Sequence, residues 1–175
     1  VKTANDAAAG INASPQGKLT VTAPTLFGRL YVMPGIVDYL NLFPQTQIDA
    51  IYLDRFVNLL EEGIDVGIRI GKLPDSSMRA LKVGTVRLVL CASSDYIKQN
   101  GKPEHPKELD NHILVKSTAV SNVMEWRFYN NGETLFKITP RLSVTSNDAA
   151  IEAVKNDFGI TRVLSYQVAP LLASG

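Results

Sequence analysis

Arg69 stands between two glycines in "DVGIRIGKLPDSS" (residues 65–77), near the end of a stretch that alternates like a β-strand. Alternation puts Val66, Ile68 and Ile70 on one face and Gly67, Arg69 and Gly71 on the other. A guanidinium flanked by glycines at the C-terminal end of a strand can reach into a crevice, and its planar fork suits a carboxylate. The competing role is a structural ion pair with Asp65 or Asp75. A second candidate is Ala23-Pro24-Thr25, where a strand passes into a helix. Free backbone N–H groups there, with the Thr25 hydroxyl, can hold an anion, or Thr25 can simply cap the helix. A third group is Lys116, Ser117 and Thr118 ending one strand, with Ser146 and Asn147 ending another. Each of these alone suits a cap or turn. Together they form the opposite wall of a cleft between two lobes.

Reactive chemistry finds no comparable support. Ser93-Ser94 lacks the glycine frame of a nucleophile elbow. His105 and His112 have no cysteine or second histidine at ligand spacing, which argues against a metal site. "IGKLPDSS" lacks the spacing of a phosphate-binding loop. Cys91 lies in an apolar strand and reads as an inert core thiol, and Trp126 in "MEWRFY" as a core or hairpin aromatic. The residues imply binding, with no cofactor.

The elements that position these groups follow from periodicity. "KLTVTA" (18–23) is a strand, with Leu19, Val21 and Ala23 on one face. The next segment has Leu26, Phe27, Leu30, Met33, Val37, Leu40 and Phe43 at helical spacing, kinked or shortened at Pro34-Gly35 and ended by Pro44. "TQIDAIYLD" (46–54) is a second strand. "DRFVNLLEEG" is a short helix, with Asp54 as N-cap and Gly63 after its end, and "DVGIRIG" is the third strand. Strand, helix, strand, helix, strand predicts a parallel, doubly wound α/β unit. "ALKVGTVRLVLCAS" (80–93) exceeds an ordinary strand, so it is two strands or one that crosses between subdomains. Capped helical turns, the strand "ILVKS", a hairpin turning at Asn130-Asn131-Gly132, the strand "RLSVTS", a helix capped by Asn147, the strand "ITRVL" and a last helix make a second α/β unit. The two units join near Cys91–Ser93.

Bulk properties narrow the classes. The chain of 175 residues is 45% hydrophobic and 20% charged with a formal net charge of +1, an ordinary globular composition. Its pI of about 8.0 gives no nucleic-acid-binding surface of its own. A single cysteine excludes an internal disulfide framework and fits a reducing compartment. No apolar run approaches the roughly 18 residues of a membrane span, and the N-terminus lacks a secretory signal. For a chain complete at that end, these features predict a cytoplasmic protein, away from the membrane.

The order of motifs resembles the effector-binding domain of LysR-type transcriptional regulators over roughly residues 15–175. The resemblance rests on the "APTLFG" opening, the Pro34…Phe43-Pro44 spacing, "DVGIRIGKLPDSS", "LDNH", "EWRFYNNGE" and the helix after "LSVTSND". It implies an α/β fold of two Rossmann-like subdomains, like a type 2 periplasmic binding protein. Residues 1–16 would be the remnant after a linker helix, 17–91 subdomain I and 92–175 subdomain II. A further strand and helix, returning to subdomain I, are expected after "APLLASG". The resemblance also implies a small-molecule effector, an organic anion or aromatic compound, in the cleft. Its contacts would fall on Thr25, Leu26, Asp54, Arg69, Ser117, Thr118, Ser146 and Asn147. At Asp54 many family members have a hydroxyl, and an aspartate would repel an anionic effector. DNA would be bound only through a winged helix-turn-helix absent from this chain. The domain would pair as a homodimer, and as a tetramer in the full-length protein, with residues 26–53 against the partner's second lobe. A transport receptor with the same scaffold would need an export signal, and an enzyme would need a reactive constellation.

Overall fold

The computed structural model describes residues 14–175 except 56, 72, 74–77, 120–121, 130–132 and 175. The chain divides at Met78/Arg79 into two compact units.

In the first unit, β1 (Gly17–Ala23) is the central strand of a parallel three-stranded sheet. β2 (Thr46–Tyr52) pairs along its whole length, with Val21 opposite Ala50. β3 (Val66–Gly67) lies on the other side, with Val21 opposite Val66. A centre strand flanked on both sides must be apolar where helices cover it, and Val21, Thr22 and Ala23 are buried. The crossover between β1 and β2 is helical in three pieces: α1 (Thr25–Phe27), a π-helical turn (Gly28–Val32) and α2 (Met33–Leu42). Pro34 lacks an N–H, and its ring would collide with the carbonyl four residues back. The chain meets this by widening the ladder just upstream. Met33 N–H reaches back five residues to the Gly28 carbonyl, as π turns do. The helix therefore continues through Pro34 to Leu42 rather than stopping there. Gly28 is where β2 meets this helix: a Cβ there would lie 2.6 Å from the Tyr52 ring.

Two expectations for this unit need correction. The described residues among 54–63 form bends, irregular backbone and turns, not a capped helix. The Asn58 side chain accepts from Leu60 N–H, the kind of local bond that competes with helix. Arg55 forks onto both Glu62 oxygens at 2.9 Å. Gly63 does adopt a positive φ of 64°, with Ile64 N–H closing back to the Leu59 carbonyl, so the expected terminus survives without its helix. The third strand is also shorter than its alternation suggests. Its ladder runs from Asp65 N–H on the Thr20 carbonyl to Ile68 N–H on the Thr22 carbonyl, and Gly71, at φ 127°, turns away. Arg69 thus lies just past the strand.

The second unit holds a four-stranded sheet in the order β4 (Leu88–Cys91), β9 (Ile160–Leu164), β5 (Leu114–Ser117), β8 (Leu142–Val144). β4 runs antiparallel to β9, and the other pairs are parallel. Of the long apolar segment at 80–93, only Leu88–Cys91 is regular strand, and Leu81 and Val83 upstream are exposed. β6 (Glu125–Tyr129) and β7 (Glu133–Lys137) form the expected hairpin; its turn at Asn130-Asn131-Gly132 lies outside the described residues. α3 (Ser94–Asn100) is capped by Ser93, whose Oγ accepts from Tyr96 N–H. A 3-10 turn follows at Pro106–Asn111.

α4 (Asn147–Lys155) is capped by Ser146, which accepts from Ala149 N–H at 3.1 Å, not by Asn147. Ser146 is the last residue with extended dihedrals (φ −128°, ψ 149°), and that is what an N-cap requires. α5 (Ser165–Ser174) follows β9 directly. Successive β5 residues feed different clusters. Leu114 packs with Tyr96, Leu109, Trp126 and Ile160, and Val115 with Ala150 and Val154 of α4. A strand covered on both faces reads as the unbroken apolar run "ILV".

Candidate functional site

Each unit carries part of the expected set. In the first, β1 delivers the chain to Thr25, whose N–H donates to Asp54 Oδ1 at 2.9 Å. The helix start therefore already holds an anion, the chain's own carboxylate, where free N–H groups were expected. Asp54, expected to begin a helix of its own, instead serves the one that begins 29 residues earlier. Thr25 is exposed and Leu26 half-buried.

Arg69 is half-buried. Its Nη1 donates to the Ile68 carbonyl at 2.9 Å and its Nη2 to Thr22 Oγ1 at 3.3 Å. Burial presses the guanidinium below its ordinary pKa, with the charge of Glu62 opposing. Among the described residues no ion pair engages it. Asp65, one of the two acids proposed as its partner, accepts instead from Thr20 N–H at 2.7 Å. Asp75, the other, lies outside the described residues.

In the second unit the end of β5, Arg162 in the middle of β9, Leu88 of β4, the start of α4 and the hairpin line an open recess of about 70 Å³. Ser117 and Asn147 line it; Thr118 and Ser146 do not. Thr118 spends both its N–H (2.8 Å) and its hydroxyl (3.2 Å) on the Val144 carbonyl. Ser117 Oγ accepts from Ala119 N–H at 3.2 Å. The recess adds groups that the sequence did not single out as a set. Lys116, only 4% exposed, donates from Nζ to the Val123 carbonyl at 2.9 Å. Arg162 of β9 donates from Nη2 to the Arg127 carbonyl at 3.0 Å and lies 5.6 Å over the Phe128 ring. Trp126, expected in the core, is buried there and also lines the recess. Burial, then the charge of Arg162, push the Lys116 ammonium below its ordinary value; burial does the same to Arg162.

A signal for Arg162 was present. "ITRVL" and "ILVKS" each carry one cation in an otherwise apolar or small-residue strand. The pairing of Val115 with Thr161 sets these cations one position further along neighbouring strands. Only the register reveals that.

An open α/β unit presents ligands with groups at the carboxyl ends of its strands, and that is where Arg69, Lys116 and Ser117 fall. This is the layout of a binding domain. The chain belongs to the LysR substrate-binding domain family, whose model matches residues 12–175. Its fold is the two-subdomain α/β arrangement of the type 2 periplasmic-binding-protein kind. It is 29% identical over 157 residues to an uncharacterised HTH-type transcriptional regulator of Haemophilus influenzae, covering 89% of this chain and 54% of that one. It is 31% identical over 163 residues to the HTH-type transcriptional regulator DmlR of Escherichia coli K12, covering 92% and 53%. The chain thus spans about half the length of the curated relatives it matches. The full-length structure of AphB, the Vibrio cholerae virulence activator, superposes with a TM-score of 0.81 at 22% identity, over 99% of this chain and 59% of that one, a likeness of fold. The family is one of transcriptional regulators, not of enzymes. Among the described residues no helix is long and apolar enough to cross a membrane.

Proposed function

We propose that this chain is the effector-sensing part of a DNA-binding transcriptional regulator. The observation that carries the reading is the family match across residues 12–175, together with relatives named as helix-turn-helix regulators. Those names support a regulator over a transport receptor. The effector is a small organic anion or aromatic compound. Its contacts are drawn from Thr25, Leu26, Asp54 and Arg69 in the first unit and Ser117, Thr118, Ser146 and Asn147 in the second. Within that set Arg69, Ser117 and Asn147 have the strongest support. Thr25 N–H and Ser146 Oγ are already engaged in capping.

Effector binding biases the attached DNA-binding segments by its differential affinity for two states. The regulator works in the cytoplasm as a homodimer that assembles to a tetramer in the longer protein. In support, helix one exposes Tyr31, Val37 and Leu42, and β2 exposes Ile51, an apolar surface of the kind that marks an interface.

A thermal-shift screen of small organic acids and aromatics tests the reading. A ligand at about 100 times its Kd stabilises by roughly 2.7 kcal/mol, which for a chain of this size raises Tm by about 5–11 °C. A hit that also changes reporter transcription in the full regulator is the expected result; a broad panel without a single shift would overturn it. For a carboxylate hit, Arg69→Ala should weaken binding by about 1.5–3 kcal/mol, the scale of a charged hydrogen bond. Unchanged affinity by calorimetry returns Arg69 to a structural role.

A further inference from the structure

In the first unit, β1 ends between two charges of opposite sign. The last bonds from its neighbours run from Leu53 N–H to the Ala23 carbonyl at 2.9 Å and from Ile68 N–H to the Thr22 carbonyl at 2.7 Å. The next residue on either flank is charged: Asp54 after Leu53, and Arg69 after Ile68. Both side chains are tied back to the chain that they flank. Arg69 Nη2 donates to Thr22 Oγ1 at 3.3 Å, and Asp54 Oδ1 accepts from Thr25 N–H at 2.9 Å. From Thr22 to Thr25 the backbone spans at most roughly 10 Å.

Opposite charges at this range attract, yet among the described residues neither takes part in an ion pair. Glu62, whose charge reaches Arg69, has both oxygens on Arg55. A guanidinium has five N–H donors. Arg69 spends two of them, on Ile68 and Thr22, and the others meet no acceptor among the described residues. Asp54 is exposed, and the one donor it meets among those residues is Thr25 N–H. Ala23 and Pro24, which lie between, carry no polar side chain, and Pro24 has no N–H to offer. A simple acid would suit Arg69 and be repelled by Asp54, and a simple amine would meet the reverse. A molecule with both charges is favoured at each end.

We infer that the first unit takes a small amino acid: Arg69, positioned by Thr22, holds its carboxylate, and Asp54 accepts from its ammonium. The inference rests on the effector-binding reading above and narrows the ligand class from organic acids at large to those that also carry a cation. Charged hydrogen bonds of about 2.8 Å at each end within a span of roughly 10 Å leave about 4 Å between the ligand's nitrogen and its carboxylate oxygen. One or two intervening carbons cover that distance.

Glycine and β-alanine are the probes, with propionate and propylamine as controls that carry one charge each. They are titrated into the chain at low ionic strength, and the Thr25 amide and Arg69 Nε–H resonances are followed in proton–nitrogen correlation spectra. At least one amino acid should saturate with a Kd about tenfold or more below that of either control, the scale of one charged hydrogen bond. Asp54→Asn keeps an acceptor for Thr25 N–H while removing the charge. It should weaken the amino acid about tenfold and leave propionate unchanged or tighter, a split that a merely structural role would not produce. Arg69→Gln should remove the response to both carboxylates, with Arg69→Lys restoring part of it if the uncharged variant folds poorly. Thr22→Val should weaken both carboxylates severalfold, and Thr22→Ser should restore them. Propionate binding as tightly as the amino acids, Asp54→Asn weakening both alike, or no saturation by either amino acid each overturns the inference. An acid without an amine that raises Tm and alters reporter transcription, indifferent to Asp54→Asn, keeps the sensing role and refutes only this assignment.

Discussion

Two glycines of the second unit share a positive φ but not a neighbourhood, and substituting each by alanine separates strain from collision. Gly159 has φ 86° and Gly101 φ 81°. An alanine at either costs about 1–3 kcal/mol for the positive φ alone. A Cβ at Gly101 would meet nothing within 4 Å, whereas at Gly159 it would lie 2.3 Å from the Ile113 carbonyl oxygen. That oxygen accepts from Ile160 N–H at 2.8 Å, just where β5 begins to pair with β9. A backbone atom cannot swing aside as a side-chain tip can, so the strands must part. Overpacking of this kind costs about 1–3 kcal/mol, and the strained hydrogen bond adds about 0.5–1.5 kcal/mol. Gly159→Ala should therefore lose at least about 1.5 kcal/mol more than Gly101→Ala. Urea unfolding followed by Trp126 fluorescence reads the second unit, where both residues lie, and the comparison needs unchanged m-values. Equal losses for the two variants would refute the reasoning, because they would mean that the Ile113 contact imposes nothing.

Other expectations follow from single contacts. Ser93 Oγ accepts from Tyr96 N–H and donates to Asp157 Oδ1 at 2.6 Å, so Ser93→Ala should cost about 1–2 kcal/mol in the same assay; a loss no larger than at an exposed surface serine contradicts the cap. Burial pushes the Cys91 thiol from 9.0 to about 11. Because the folded pKa lies above the unfolded one, the neutral thiol's contribution is whole below pH about 9 and is lost as pH rises toward 11. Iodoacetamide at pH 8 should accordingly find about 100-fold less thiolate at Cys91 than in the urea-unfolded chain, and equal labelling rates would contradict this. Leu42 is 72% exposed, and Leu42→Glu should shift light-scattering mass from dimer to monomer with the circular dichroism unchanged. A mass that stays dimeric places the interface elsewhere.

What the sequence revealed tracks how locally each feature is determined. The parallel pairing of β1 with β2 and the helix between them follow from alternation at 18–23 and 46–52, and proline at 44 marks the helix end. The hairpin strands and the helix after Ser146 are equally local. The errors fall where a distant partner decides. An aspartate before an apolar run reads as the cap of its own helix, yet Asp54 finds Thr25 just past the end of the neighbouring strand. Asn147 and Ser146 are both capping residues, and only the dihedrals choose between them. Arg69 was placed at the correct strand end, but not its bonds to Ile68 and Thr22. The Lys116–Arg162 pair depends on the register of β5 and β9, and no window along one strand contains that information.

The contact between Asp54 and Thr25 has a consequence for selectivity. A tethered acid competes for its own helix end at an effective concentration of millimolar or more, whereas a dissolved acid competes only at its free concentration. The first unit is thus screened against weakly binding acids before any ligand arrives. An occupant there must either displace Asp54 with a stronger acceptor or approach as a donor to that carboxylate. Under the proposed function, an anionic effector would then be recognised by guanidinium and ammonium groups, whose spacing can discriminate one acid from another, rather than by a helix end that would welcome all of them.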